Sequence, residues 1–170
     1  MPKLYLLIGG NQGDRQQIIA HTTDLIQQRI GSVVDSSYIY ETAPWGTFAD
    51  GEVVQSFYNQ ALKVGTLLTP HDALREAKRI EWMMGRRRKM GTTTYSSRPI
   101  DVDLIFYDSL VMVKPYLTLP HPRMHLRRFA LEPMCDIAAD FIHPVLNKTL
   151  KELLDECTDT SSCSRCCLYP

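Results

Sequence analysis

Apolar residues run almost unbroken from Lys3 to Ile8, as in a strand buried on both faces, and Gly9-Gly10-Asn11 reads as the turn that ends it. The period then changes. Between Asp14 and Arg29, and on to Ile30, the residues Ile18, Ile19, Leu25, Ile26 and Ile30 share one helical face, with Gly31 at the stop. Val33 to Glu41 has the Val, Tyr and Ile density of a strand, and the Pro and Gly of Thr42-Ala43-Pro44-Trp45-Gly46 end it. Phe57 to Val64 alternates, placing Phe57, Asn59, Ala61 and Lys63 on one side. Thr69-Pro70 suits the start of a helix that Asp72 supports electrostatically and that runs to Met84 before Gly85. A basic, irregular stretch to Arg98 leads into a strand from Ile100 to Tyr107.

The predicted order is β-α-β-β-α-β, the ferredoxin-like α+β unit, with an antiparallel sheet carrying both helices on one face. Further on the pattern predicts a strand near Val111, a loop over 117–122, a helix from about His125 to Met134, and a last helix opened by the capping box Thr149-Leu150-Lys151-Glu152. At 170 residues the chain has enough core for one domain, taken as 1–156, followed by a Cys-rich, poorly ordered tail over 157–170.

Charge narrows the function classes. There are 19 basic and 19 acidic residues, so no global field recruits nucleic acid or anionic lipid, and any electrostatic role comes from local clusters. No run of eighteen apolar residues and no secretory pattern is present, which leads to the expectation of a cytoplasmic protein without a membrane partner. Cys157, Cys163, Cys166 and Cys167 follow a C-x5-C-x2-C-C spacing that matches neither paired CxxC zinc pattern, so they read as reduced thiols.

The most informative chemistry is Asp101-Val102-Asp103 inside an apolar strand. With period two, Ile100, Val102, Leu104 and Phe106 enter the core while both carboxylates share the other face. Like charges held side by side call for a counterion, and magnesium commonly sits on one or two carboxylates plus substrate phosphates. Immediately upstream lie Arg86, Arg87, Arg88, Lys89 and Arg98, with Gly91-Thr92-Thr93-Thr94 between them, a basic loop able to grip phosphate oxygens. A solvated charge run is the plainer alternative. Asn59 could read a donor-acceptor edge while Phe57 stacks on a flat ring, and His121 is restrained between Pro120 and Pro122.

Taken together, Ile8-Gly9-Gly10-Asn11-Gln12-Gly13-Asp14-Arg15, Tyr40 to Gly46, Phe57-Tyr58-Asn59, Glu81 to Arg88, Arg98-Pro99-Ile100-Asp101-Val102-Asp103-Leu104, Leu119-Pro120-His121-Pro122-Arg123-Met124 and Arg127-Arg128-Phe129 resemble the 6-hydroxymethyl-7,8-dihydropterin pyrophosphokinase family over about residues 4–145. The resemblance implies transfer of diphosphate from ATP to a reduced pterin in folate biosynthesis, with AMP as the other product. It implies that Asp101 and Asp103 hold two magnesium ions, and that Phe57 and Phe129 sandwich the pterin while Asn59 reads its edge. Thr42, Pro44 and Trp45 would line the pterin pocket; Glu81, Arg86, Arg88, Arg98, His121 and Arg127 would contact ATP, with Arg86 and Arg98 also offsetting charge during transfer. The small-molecule substrates are the expected partners, and the chain is expected to be a monomer.

Tyr95-Ser96-Ser97-Arg98 departs from the family's common Trp-Gly-Pro-Arg, Ala43 stands where proline is common, and Trp45 replaces a smaller apolar residue. Two other readings compete: a ferredoxin-like nucleic-acid-binding module using the basic stretch and Phe57, or a homologue that binds pterin or nucleotide without catalysis.

Overall fold

The computed structural model describes residues 1–44, 54–85 and 97–166. Its elements, in chain order, are β1 (Lys3–Gly10), α1 (Arg15–Arg29), β2 (Ser32–Ser36), β3 (Tyr40–Thr42), β4 (Phe57–Gly65), α2 (Pro70–Met83), β5 (Asp101–Tyr107), β6 (Met112–Lys114) and β7 (Leu117–Leu119). A 3-10 turn at Met124–Leu126, α3 (Arg128–Ala138), α4 (Leu150–Asp155) and β8 (Cys163–Arg165) complete the described chain.

Six strands form one sheet in the order β5-β1-β4-β3-β8, with β2 also on β4; each of these pairings is antiparallel. Without β8 this is the expected ferredoxin-like core, its second strand split into β2 and β3. The split has a local cause. Ser37 satisfies β4 by itself: its N–H donates to Ala61 O at 2.9 Å and its Oγ accepts from Ala61 N at 2.9 Å, while Gln60 Nε2 donates to Ser37 O. One serine thus takes over the ladder where the strand breaks.

Both faces of the sheet are covered. Leu4, Leu6, Ile8, Leu62, Val64, Val102 and Leu104 pack with Ile19, Ile26, Ala77 and Ile80 of α1 and α2, which therefore share one face as expected. On the other face Tyr5, Leu7, Ala61, Ile105 and Phe106 pack with Leu131 and Met134 of α3 and Leu150 and Leu153 of α4.

Helix ends follow local chemistry. Thr69 caps α2 by accepting from Asp72 N, and Gly85, at φ 90°, takes the left-handed conformation just past its end. At α4 the Thr149–Glu152 capping box closes in both directions.

Four expectations need correction, the first being the loop predicted over 117–122, whose opening residues Leu117–Leu119 form β7 paired with β6. β1 does not stop at Ile8: Gly9 and Gly10 continue to pair with both neighbours or with β4. Phe106 leaves the face of Val102 and Leu104, because a bulge opposite Tyr5/Leu6 inserts Ile105 and sends both residues to the α3 side. Within the tail expected to be poorly ordered, Cys163–Arg165 pair as β8 with the edge of β3, and 167–170 lie outside the described residues.

Candidate active site

Antiparallel pairing carries side chains of facing residues to the same side of a sheet, so the site can be built row by row. Asp101 faces Gly9, Gly9 faces Asn59, and Asn59 faces Tyr40. In the next row Asp103 faces Leu7 and Leu7 faces Ala61. Phe57 pairs with Thr42 at the other side of the Asn59 row. All of these lie on the face covered by α3, and Gly9 sits in the middle of it without a side chain.

The result is a solvent-open cleft of about 510 Å³ over Gly9 and Leu7, lined also by Thr42, Ala43, Phe57, Asn59, Arg98, Asp101, Asp103, Arg127 and Phe129. Arg127 and Phe129 come from the start of α3, so the cleft has the sheet as its floor and the helix entry as a wall. Eight residues singled out from sequence meet here: Thr42, Phe57, Asn59, Arg98, Asp101, Asp103, Arg127 and Phe129.

Asn59 is held firmly. It is buried, and its Nδ2 donates to the buried Thr42 Oγ1 at 2.8 Å. Its Oδ1 occupies the space above Gly9: a Cβ on Gly9 would lie 2.0 Å from that oxygen. The glycine is therefore a matter of room. The two aromatic rings are each accompanied by a cation, with Arg98 Cζ 5.5 Å from the Phe57 centroid and Arg127 Cζ 5.5 Å from that of Phe129.

The carboxylate pair lies beside these rings. Asp101 pairs with Arg98, three residues before it. Glu81, buried on α2, accepts from Val102 N at 2.9 Å and pairs with Lys78 at 2.8 Å, so it secures the edge strand between the two aspartates. His121 is brought to the same strand by its N–H, which donates to Ile105 O at 2.9 Å. Burial holds its imidazole below the usual pKa, against the opposing pull of the Asp103 charge. Neither Glu81 nor His121 lines the described cleft, and neither does Pro44. Trp45, Arg86 and Arg88 lie outside the described residues.

Two carboxylates on one strand face are hard oxygen donors suited to magnesium, which completes its shell with water and phosphate oxygens. Among the described residues no group of three His, Cys, Asp or Glu side chains converges.

Sequence reasoning missed the device that holds the loop stems. Buried Asn11 donates through Nδ2 to Gln55 O at 3.1 Å and Ser97 Oγ at 3.2 Å, and accepts at Oδ1 from Arg98 N at 2.9 Å. Arg15 joins the other stem: its Nη1 donates to Ser56 O at 2.8 Å and to Glu41 Oε1 at 3.3 Å. Hydrogen bonding from Ser56, then from Arg15, keeps the Glu41 carboxyl below its usual pKa. Polar residues just after a Gly-Gly pair were the available signal, since a buried Asn must find partners.

Residues 5–139 match the model of the family described as 7,8-dihydro-6-hydroxymethylpterin-pyrophosphokinase. A 2-amino-4-hydroxy-6-hydroxymethyldihydropteridine pyrophosphokinase of Porphyromonas gingivalis is 35% identical over 145 residues, covering 85% of this chain and 95% of the relative. One of the same description from Aquifex aeolicus is 32% identical over 158 residues, covering 93% and 94%. A folic acid synthesis protein of Dictyostelium discoideum is 38% identical over 88% of this chain, which spans only 22% of that relative. Among solved structures, a triple mutant of Plasmodium falciparum HPPK-DHPS superposes with a TM-score of 0.72 at 18% identity. The match covers 91% of this chain and 44% of that one, so this chain spans less than half of the solved protein, and the likeness speaks for the fold.

Proposed function

The chain belongs to the 7,8-dihydro-6-hydroxymethylpterin-pyrophosphokinase family, and from that premise we propose how its residues carry out the ATP-dependent pyrophosphokinase step of folate biosynthesis. The supporting observation is the convergence of Phe57, Asn59, Phe129, Asp101 and Asp103 on one cleft.

Phe57 and Phe129 take the flat pterin ring between them, excluding water from its faces. Asn59, already fixed by Thr42, offers its remaining amide N–H and its carbonyl oxygen to the pyrimidine edge. The hydroxymethyl arm then points toward Asp101 and Asp103, which would hold the magnesium of Mg-ATP, two ions being expected. Magnesium held there would supply Lewis-acid polarisation of the phosphoryl oxygens and would make the attacking hydroxyl more acidic. Arg98 and Arg127 balance charge on the triphosphate, and Arg86 and Arg88, which precede Arg98 in the sequence, are the further cations assigned to it. Glu81 acts from the α2 side, keeping β5 in place near the nucleotide, and His121, which feels the Asp103 and Arg127 charges, contacts ATP.

In the reaction the hydroxymethyl oxygen forms a bond to the β-phosphorus of ATP. The bond from that phosphorus to the oxygen bridging the α-phosphorus breaks, AMP leaves with the bridging oxygen, and the hydroxyl proton passes to solvent. No side chain is assigned as base, since phosphoryl-type transfer rests mostly on positioning and charge stabilisation. Holding the two substrates in line contributes about 7–11 kcal/mol through effective molarity.

The same reading takes the protein as a cytoplasmic monomer. No helix among the described residues is long and apolar enough to cross a membrane. A nucleic-acid platform fits poorly, because two carboxylates share the Phe57 face and α3 covers part of it. The test is product identity: with hydroxymethyl-dihydropterin and Mg-ATP the protein should release AMP. ADP as the product, or AMP released equally without pterin, would refute the reading.

A further inference from the structure

The segment after α4 reaches both walls of the cleft, and it lies outside the family match, which ends at residue 139. On the sheet side β8 pairs with β3, setting Cys163 opposite Thr42 and Arg165 opposite Tyr40. Backbone bonds extend this pairing at each end: Ala43 N donates to Ser162 O at 3.0 Å, and Cys166 N donates to Ile39 O at 2.8 Å. Thr42 and Ala43 line the cleft, and Thr42 is the residue that fixes Asn59.

On the helix side the same segment grips the entry of α3. Arg128 stands between the two cleft residues Arg127 and Phe129; its N–H donates to Asp159 Oδ2 at 2.9 Å and its Nε to Asp159 O at 2.8 Å. A second attachment links strand and helix directly. Arg165 donates through Nη2 to Asp136 of α3 at 2.7 Å and through Nε to the Tyr40 hydroxyl at 2.9 Å, while that hydroxyl also bonds Asp136 at 3.1 Å.

We propose that residues 159–165 form a strap that sets the spacing of the pterin-binding walls, with Asp159 and Arg165 as positioning residues for pterin affinity. β3 is only three residues long and would otherwise be an edge strand, whose register is easily disturbed. The carboxylates lie on β5, with both β1 and β4 between that strand and β3. Loosening the strap at Arg165 therefore displaces Thr42 and Asn59 while leaving Asp101 and Asp103 in place, and loosening it at Asp159 displaces Phe129 together with its neighbour Arg127. This rests on the pterin reading of the cleft given above.

The test uses Asp159→Ala and Arg165→Ala in the full chain, with Arg165→Lys as the conservative variant. In Arg165→Ala the KM for hydroxymethyl-dihydropterin should rise at least about fivefold while the KM for Mg-ATP stays within about twofold, since small misplacements of a binding group are felt steeply; in Asp159→Ala the pterin KM should rise by a similar factor, with a smaller rise for Mg-ATP through Arg127. Arg165→Lys should recover part of the loss. Ile26→Val, in the core under α1 on the opposite sheet face, controls for general loosening and should change neither KM selectively. Unchanged values, an equal rise in both, or the same split in Ile26→Val would overturn the proposal. If the wild-type protein makes no AMP, the functional reading fails by itself. The strap is then decided by amide exchange at residues 40–43, which must accelerate in Arg165→Ala; unchanged exchange overturns it.

Discussion

Replacing Gly9 with alanine adds one methyl group at the floor of the cleft. Its carbon would fall 2.0 Å from Asn59 Oδ1, 3.0 Å from Asn59 Cγ and 3.0 Å from Tyr58 O. The backbone oxygen belongs to a paired strand and yields little, so the Asn59 amide must move, and its bond to Thr42 at 2.8 Å goes with it. Overpacking of this kind costs about 1–3 kcal/mol, and a lost buried hydrogen bond about 0.5–1.5 kcal/mol. Part of that appears as lower stability and part as a misplaced pterin contact. If about 1.4–2.8 kcal/mol falls on binding, the pterin KM rises on the order of 10- to 100-fold. Steady-state AMP release at varied pterin and saturating Mg-ATP measures it. A cycle with Asn59→Ala isolates the cause: with the amide removed the new methyl has room, so Gly9→Ala should cost much less in that background. A wild-type pterin KM in Gly9→Ala, or additive effects in the cycle, would refute the reasoning.

Asn59→Ala alone should raise the pterin KM well above any change in the Mg-ATP KM; an equal loss of both would remove Asn59 from the pterin site. Buried His143 is held below the usual histidine pKa by desolvation and by His125, and its Nδ1 accepts from Val145 N at 3.3 Å and Leu146 N at 3.2 Å. A lowered pKa means the unfolded chain binds the proton more readily, so stability present above about pH 6.5 is lost as pH falls below it. His143→Asn, which keeps an acceptor that does not titrate, should flatten this part of the Tm–pH curve. Thr149→Ala opens the capping box of α4 and should cost about 1 kcal/mol, read as a fall in denaturant midpoint with unchanged kinetic constants.

Much of the fold was legible because local and tertiary signals agree. Thr69, Gly85 and Thr149 act at helix ends as their chemistry dictates, and alternation from Phe57 put Asn59 and Phe57 on one face, where they are. The two aspartates were placed together by strand period alone, and both line the cleft. What stayed hidden depends on partners distant in sequence. The break between β2 and β3 follows from Ser37 bonding Ala61, which the continuous Tyr-Ile-Tyr density of that segment conceals. The bulge that turns Phe106 to the α3 face depends on how β1 meets β5, and a period-two count along one strand cannot register it. β8 escaped notice for another reason: Cys163-Ser164-Arg165 has neither apolar run nor alternation, and it is a strand only because β3 offers an edge and Asp136 a partner for Arg165. Gly9 read as a turn, when its role is to make room for an amide on the neighbouring strand.

Divalent-ion binding by the carboxylate pair can be read without turnover. Manganese, a paramagnetic stand-in for magnesium, can be titrated into the protein with a non-hydrolysable ATP analogue and followed by electron paramagnetic resonance, for the wild type and for Asp103→Asn. The wild type should bind manganese tightly only when the analogue is present, and Asp103→Asn should lose most of that binding while keeping its melting temperature. Equal manganese affinity in the two proteins would contradict the assignment of Asp101 and Asp103 as the groups that hold the metal-bound triphosphate.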